Sequence, residues 1–308
     1  MQFKGFGLDK KIGVLAVSAP TEAGRLARGV EILRSFGFRE KVALDPCAAF
    51  GRNDFMFSSD SPKARARALE ALYADPEVGV IIAVRGAYGC MEMLPELNFE
   101  LLARSPKPIV GFSDVTALLL ALQHKAGLPA VHGPSIESFA RAGEEPDART
   151  SAQALIDLLT GKHPNPFSGS KLELFLGDSA PVDGILSGGN LTLIAAILGT
   201  PWAPKFKNCI LCLEETNDSP YRIHRHLLQL RLAGCLDGVK GILLGAFTNC
   251  VHKNGLGPDI EMVFKDIFGP LGVPVYRGAP FGHQLLNLPL PFGAKARMAA
   301  GGLVFENS

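Results

Sequence analysis

No stretch of this chain comes near the roughly 18 unbroken apolar residues that a membrane-spanning helix needs. Charge of either sign is not in excess: 31 Lys and Arg stand against 30 Asp and Glu. So even a balance gives no electrostatic reason to expect nucleic acid or an anionic membrane as a partner. Residues 1–7 hold no long apolar core of the kind a secretory leader carries, and the apolar run at 12–17 has the length of one strand. Cysteine is sparse: Cys47, Cys90, Cys209, Cys212, Cys235 and Cys250 are all there are. Cys209 and Cys212 form a C-x-x-C, but inside a strand-like apolar run and without a second pair at zinc spacing. Neither a metal centre nor a redox pair is expected, and the six thiols read as small buried hydrophobes of a reducing compartment. These absences lead to the expectation of a cytoplasmic protein.

Apolar residues and turn formers are plentiful: 47% of the chain is hydrophobic, with 34 Gly and 22 Pro. That composition fits a compact α/β protein, and 308 residues suffice for two domains. Strand-like runs at 12–17, 41–44, 78–84 and 109–111 alternate with helix-like segments at 21–36 and 61–74 and with one reaching Leu102. This alternation implies βαβ units and a mostly parallel sheet. The pattern weakens from about Gly143 to Gly177, where 144–147 and 163–167 read as linker. A second region starts near Pro181, with helices at 191–198 and 221–232, strands at 210–213 and 241–244, and a β-like end at 295–305. The expected division is a first domain over 1–145, a linker over 146–178 and a second domain over 179–308. No internal repeat is visible.

Ser113 is the most informative residue. In Pro108-Ile-Val-Gly-Phe-Ser-Asp-Val-Thr116 a short apolar strand stops at Gly111 and a helix follows from about Leu118. A serine on such a turn is lifted clear of the sheet, and free N–H groups with the positive end of a helix dipole face the same spot. A nucleophile needs that setting, because the N–H groups can stabilise an oxyanion. A Ser-Asp pair at a helix start also reads as a simple N-cap. The nucleophile-elbow pattern G-x-S-x-G is matched only in part, since the fifth position is Val115. A second loop at a strand end, Arg85-Gly-Ala-Tyr-Gly89, belongs to the same sheet edge, where ligands of parallel sheets bind.

A nucleophilic serine requires a base and an acid that orients it. Among seven histidines, His124 reads as helix surface or packing, His163 as linker, His224 and His226 as solvated helix residues, and His252 as a loop residue beside Lys253. Two remain: His132, at another strand end, and His283, which follows Gly282 and precedes a proline-stiffened run. For the acid, Glu214 and Glu215 both end the apolar run from Cys209, and the pattern does not separate them.

Six segments, in this order, resemble the LD-carboxypeptidase family of serine peptidases, also called muramoyltetrapeptide carboxypeptidases. They are 13–20, Arg85-Gly-Ala-Tyr-Gly89, Gly111-Phe-Ser-Asp-Val-Thr116, Gly188-Gly-Asn-Leu191 with Leu198-Gly-Thr-Pro201, Leu213-Glu-Glu215 with Pro220-Tyr-Arg-Ile223, and Gly282-His283. The resemblance implies a Rossmann-like N-terminal domain with a parallel sheet and a smaller β-rich C-terminal domain. It implies Ser113 as nucleophile, Glu214 as orienting acid and His283 as base, with oxyanion donors in the backbone N–H groups of Gly86 and Asp114. The family's glycine-rich loop carries a second glycine where this chain has Ala87, which disfavours a positive φ there. The implied reaction releases terminal D-Ala from a murein tetrapeptide or muropeptide in cell-wall recycling, without metal or organic cofactor, by a homodimer. A product-side carboxylate needs a cation, for which Arg85 and Arg222 are candidates. The third residue of the peptide, diaminopimelate or lysine, stays open.

Two other readings compete. One is a microcin-immunity-type peptidase acting on a peptidyl- or aminoacyl-nucleotide. Such relatives carry a longer insertion with an aromatic that stacks on the base, whereas this chain has one Trp, Trp202, and no long insertion. The other is a non-catalytic peptide- or sugar-binding protein, against which an intact Ser, Glu and His weigh.

Overall fold

The computed structural model describes residues 7, 9–52, 54–162, 165–252, 255 and 257–305. Residues 1–6 of the leader reading, and His163 and Lys253, lie outside that set.

Five strands form the first sheet's parallel body: β1 (Lys11–Leu15), β2 (Arg39–Ala43), β3 (Val78–Ala83), β4 (Ile109–Gly111) and β5 (Ala130–His132). They lie in the order β5-β4-β3-β1-β2. The central strands are β-branched runs covered on both faces, as parallel sheets demand; Val80, Ile81 and Ile82 are fully buried. Helices Ala23–Ser35, Pro62–Ala74 and Thr116–Ala126 cross between strands. The helix expected up to Leu102 is instead broken. Cys90–Met93 and Phe99–Ala103 are separate short helices with a 3-10 turn, Leu94–Glu96, between them. Pro95 cannot donate a helical bond, and Asn98 restarts the helix by accepting from Leu101 N at 3.0 Å.

The second sheet contains β6 (Glu173–Leu176), β7 (Val182–Asn190), β8 (Cys209–Thr216), β9 (Gly241–Thr248) and β10 (Val275–Arg277). After β11 (Leu290–Phe292), β12 (Lys295–Ala299) and β13 (Gly302–Phe305) complete it, in the order β13-β12-β7-β8-β9-β10-β6. Strands β7 to β10 run parallel, and the outer pairings are antiparallel. The architecture is α/β with two domains, the second the richer in β-structure.

The stretch 146–178 is not the linker expected of it. Residues Pro146–Thr160 form a helix with Ala148, Ala152, Leu155, Ile156 and Leu159 buried, and β6 joins the second sheet beside β10. Pro146 occupies the first helical turn, where its fixed φ suits a helix start, so the acid-proline text marks a beginning rather than a gap. β11 also departs from a plain division at 179. It returns to the first sheet and pairs antiparallel with β5, Leu290 opposite His132 and Phe292 opposite Ala130.

His132 is fully buried, and neither ring nitrogen has a hydrogen-bond partner among the described residues. Rings of Phe112, Phe281 and Phe292 surround it at 5.5 to 6.1 Å. Burial, with the nearby His283 charge adding, pushes its pKa down to about 3. The unfolded imidazole takes a proton below about 6.5 while the folded one refuses it until about 3, so stability is lost as the pH drops through that window. This one group contributes a slope of about 1.4 kcal/mol per pH unit. Urea unfolding of the parent and His132→Leu between those pH values should show a shallower acid decline in the variant; equal slopes would refute the assignment.

Candidate functional site

Ser113 leaves β4 on a 3-10 turn, Ser113–Val115, that leads into the helix Thr116–Ala126. Its φ is +61°, a left-handed conformation that costs a non-glycine residue on the order of 1–2 kcal/mol. No side chain caps this turn or the helix after it, so the N-cap reading of Ser113 fails. The hydroxyl has another partner: Ser113 Oγ lies 3.0 Å from His283 Nε2. On the far side of the ring, His283 Nδ1 lies 2.6 Å from Glu214 Oε2. A carboxylate accepts, so Nδ1 carries the proton toward Glu214 and Nε2 is left to accept from the serine.

Glu214 is fully buried at the end of β8, and its other oxygen has no partner among the described residues. The neighbouring Glu215 is spent elsewhere. Its oxygens accept from Asn190 Nδ2 at 3.1 Å, Thr192 N at 2.8 Å and Thr216 N at 2.8 Å. That separates the two carboxylates that the sequence pattern left equal. Of the two histidine candidates, His283 meets the serine and His132 sits sealed behind it.

His283 is held from three directions. Gly282 has φ +107°, and a Cβ there would lie 2.7 Å from Glu214 Cβ, so only glycine lets the loop pass this close to the acid. Thr248 Oγ1 donates to the His283 carbonyl at 2.9 Å, and Gly282 N donates to Asn287 Oδ1 at 2.9 Å. Ser151, on the unexpected helix, donates to Leu285 O at 3.0 Å and accepts from Asn287 N at 2.8 Å. The sequence held a signal for that helix: apolar residues at 148, 152, 155 and 159 share one helical face. Burial pushes the His283 pKa down, but the hydrogen bond and charge of Glu214, with Glu215 adding, more than offset it, and the net shift is upward.

Gly86 packs against the serine turn. A Cβ on it would lie 2.8 Å from Ser113 Cβ and 3.2 Å from Asp114 N. Neither the Gly86 nor the Asp114 N–H donates a backbone hydrogen bond among the described residues. Gly86 lines a cavity of about 600 Å³ that reaches Ser113 and His283 and is walled by Arg25, Arg28, Arg85 and Arg141 together with Glu137 and Glu144. Arg85 Nη1 stands 3.5 Å from Glu137 and 3.4 Å from Pro20 O. Arg222 lines a different cavity, which touches Ser113 but not His283, and pairs with Asp218 at 2.9 Å. The two candidate cations therefore line different cavities at the serine. Arg28, within a helix, and Arg141, just past the end of another, carry no motif that would mark them in the sequence.

The family follows from comparison with known proteins. Residues 12–133 match the LD-carboxypeptidase N-terminal domain, and residues 183–298 match the LD-carboxypeptidase C-terminal domain. The chain belongs to the LD-carboxypeptidase family. It is thereby a hydrolase of a peptidase family. A Streptomyces coelicolor protein whose description stops at carboxypeptidase is 35% identical over 297 residues, 94% of this chain and 90% of that one. The murein tetrapeptide carboxypeptidase of Pseudomonas aeruginosa is 32% identical over 252 residues, 79% of each chain. The microcin C7 self-immunity protein MccF of Escherichia coli is 30% identical over 315 residues, 92% and 89% of the two chains. The structure of MccF with aspartyl sulfamoyl adenosine matches with a TM-score of 0.86 at 26% identity, covering 99% of this chain and 98% of that one.

One departure from the family pattern behaves differently from expectation. Ala87 was expected to avoid a positive φ, yet it adopts +82°. The turn is imposed by its surroundings, and alanine accepts the strain. Ala87→Gly should therefore stabilise the protein by about 0.5–1 kcal/mol in chemical denaturation, after allowing for glycine's greater unfolded-state freedom. A destabilised variant would show that the loop is not strained.

Proposed function

We propose that this protein is a serine-type LD-carboxypeptidase that releases terminal D-Ala from murein tetrapeptides. The observation that carries the reading is the relay from Ser113 through His283 to buried Glu214, at 3.0 and 2.6 Å, beside two N–H groups without backbone partners. His283 removes the Ser113 proton as the oxygen attacks the peptide carbonyl. Glu214 fixes the tautomer and stabilises the imidazolium that forms. The oxyanion forms against the Gly86 and Asp114 N–H groups, a contribution worth about 2.7–4 kcal/mol per donor. His283 then protonates the leaving nitrogen, and water repeats the cycle on the acyl-enzyme.

The leaving amino acid must lie on the imidazole side. Of the cavities that reach Ser113, the arginine-walled one also touches His283, so we assign it the free carboxylate of D-Ala, with Arg85, Arg28 and Arg141 as the cations. The cavity of Arg222, Asp218 and Asn190 lacks the imidazole and takes the acyl side. This reassigns Arg222 from the product carboxylate to the peptide body. The reading extends to a cytoplasmic homodimer acting on a free tetrapeptide or a muropeptide.

The likeness to MccF supports a second reading, hydrolysis of an aminoacyl-nucleotide. The lining of the cavities at Ser113 weighs against it: Phe112 is their sole aromatic, and Trp202 packs on the core instead.

Incubation with a murein tetrapeptide should shorten it by one alanine, read by mass, and Ser113→Ala should abolish that loss. Turnover of an aminoacyl sulfamoyl nucleoside with the tetrapeptide left intact would establish the second reading instead. The raised pKa of His283 sets the pH dependence, since the base works only when neutral. The acid limb of kcat/KM should have its midpoint above the ordinary imidazole value of 6.5. Glu214→Gln should lower the plateau and move that midpoint downward, because only the smaller Glu215 charge then opposes burial; an unmoved midpoint would remove Glu214 from the relay.

A further inference from the structure

Asp114 has a side chain that the reaction above does not use. It is 4% exposed and stands at the start of a helix, the place where an acid ordinarily caps N–H groups of its own helix. It does not cap. Its Oδ2 accepts instead from Cys90 N at 2.8 Å and from Ser18 Oγ at 2.7 Å, partners 24 and 96 residues away. Cys90 is the first residue past the turn that carries Gly86, and Ser18 follows β1. One carboxylate oxygen thus ties together the loops that leave β1, β3 and β4.

We infer that the Asp114 carboxylate is a positioning residue for the oxyanion hole: it sets the separation of the two turns that bear the Gly86 and Asp114 N–H groups. The inference rests on Ser113 being the nucleophile. Each turn holds a non-glycine residue in the left-handed region, Ala87 at +82° and Ser113 at +61°, so neither backbone is at its own minimum. A cross-tie between them is what keeps both donors aimed at one point. Buried Arg65 secures the other end of the same turn, donating from Nη1 to Gly89 O at 2.9 Å and to Val17 O at 2.6 Å. A buried negative charge next to a developing oxyanion opposes it electrostatically, so the gain from Asp114 lies in geometry rather than in charge.

The test compares Asp114→Ala, Asp114→Asn and Ser18→Ala with the parent in two assays. One is hydrolysis of the tetrapeptide. The other is labelling by an alkyl fluorophosphonate, in which Ser113 Oγ bonds to phosphorus, fluoride leaves, the proton passes to His283, and the phosphoryl oxygen occupies the oxyanion hole. Asp114→Ala should lower kcat and the labelling rate by about 10²-fold, with KM changed by less than about threefold. The midpoint of the acid limb should not move, since His283 and Glu214 are untouched. Asp114→Asn, whose amide oxygen can accept both bonds, should recover to within about tenfold of the parent, and Ser18→Ala should fall between them. The inference is overturned if folded Asp114→Ala stays within about threefold of the parent, if Asp114→Asn is as slow as the alanine variant, or if the loss is all in KM. If Asp114→Ala does not fold, Ser18→Ala and Asp114→Asn decide, and a Ser18→Ala variant with parental rates overturns the inference. A parent labelled at Ser113 but idle on the tetrapeptide refutes the substrate reading alone, and the labelling rates still test Asp114. A parent that is not labelled refutes both.

Discussion

The pairing of β11 with β5 is the constraint on which the site depends. The chain reaches His283 from the second sheet, and three residues after Asn287 it is hydrogen-bonded to the edge of the first. The loop between is thereby pinned at both ends. Ser151 holds its middle from a helix that belongs to neither sheet. Ser113 and His283 are 170 residues apart, and their 3.0 Å approach persists because backbone hydrogen bonds, not side-chain reach, bring the two halves together. A hinge that opened the domains would have to break that edge pairing first.

Within this frame two strained turns lie next to each other. Ser113 and Ala87 both hold left-handed backbones in facing turns, and Gly86 fits between them only because it has no Cβ. Strain of this kind survives where the surroundings over-determine it. Here they are Arg65 and the Asp114 carboxylate, both buried and both bonded across loops rather than within their own elements. The outcome is a rigid cradle on the first domain, against which the second domain presents its imidazole.

The electrostatics divide the same way. Two adjacent glutamates end β8, but their chemistry differs entirely by what surrounds them. Glu215 is saturated by backbone and amide donors that join β8 to the start of the helix after β7, whereas Glu214 keeps one oxygen for the imidazole. The result is a histidine whose burial and whose acid partner act in opposite directions, with the acid prevailing. His132, more deeply buried and without an acid, is driven the other way. Arginines concentrate on the imidazole side of the serine, and a mixed Asp218–Arg222 pair lies on the other, so the two cavities that reach Ser113 differ in charge.

The strand-turn-helix at Ser113, the parallel first sheet and the candidate residues were legible in the amino-acid order, because each is a local pattern: β-branched runs, a glycine at a turn, a helix start. The choice of Glu214 over Glu215 was legible only by family resemblance, since both sit at the same strand end. The helix Pro146–Thr160 was written in the sequence, through Pro146 and its apolar spacing, but an acid-proline preface hid it. Nothing in the sequence announced that β11 would cross to the other sheet, that Ala87 would accept φ +82°, or that Asp114 would reach Cys90 and Ser18 rather than cap its helix. By itself the sequence determined which residues could act, because nucleophile, base and acid are properties of side-chain type and local backbone. The tertiary structure decided which of them act together, because hydrogen-bond distances between residues 69 to 170 positions apart are set by how sheets pack and edges pair, and local propensity carries no record of that.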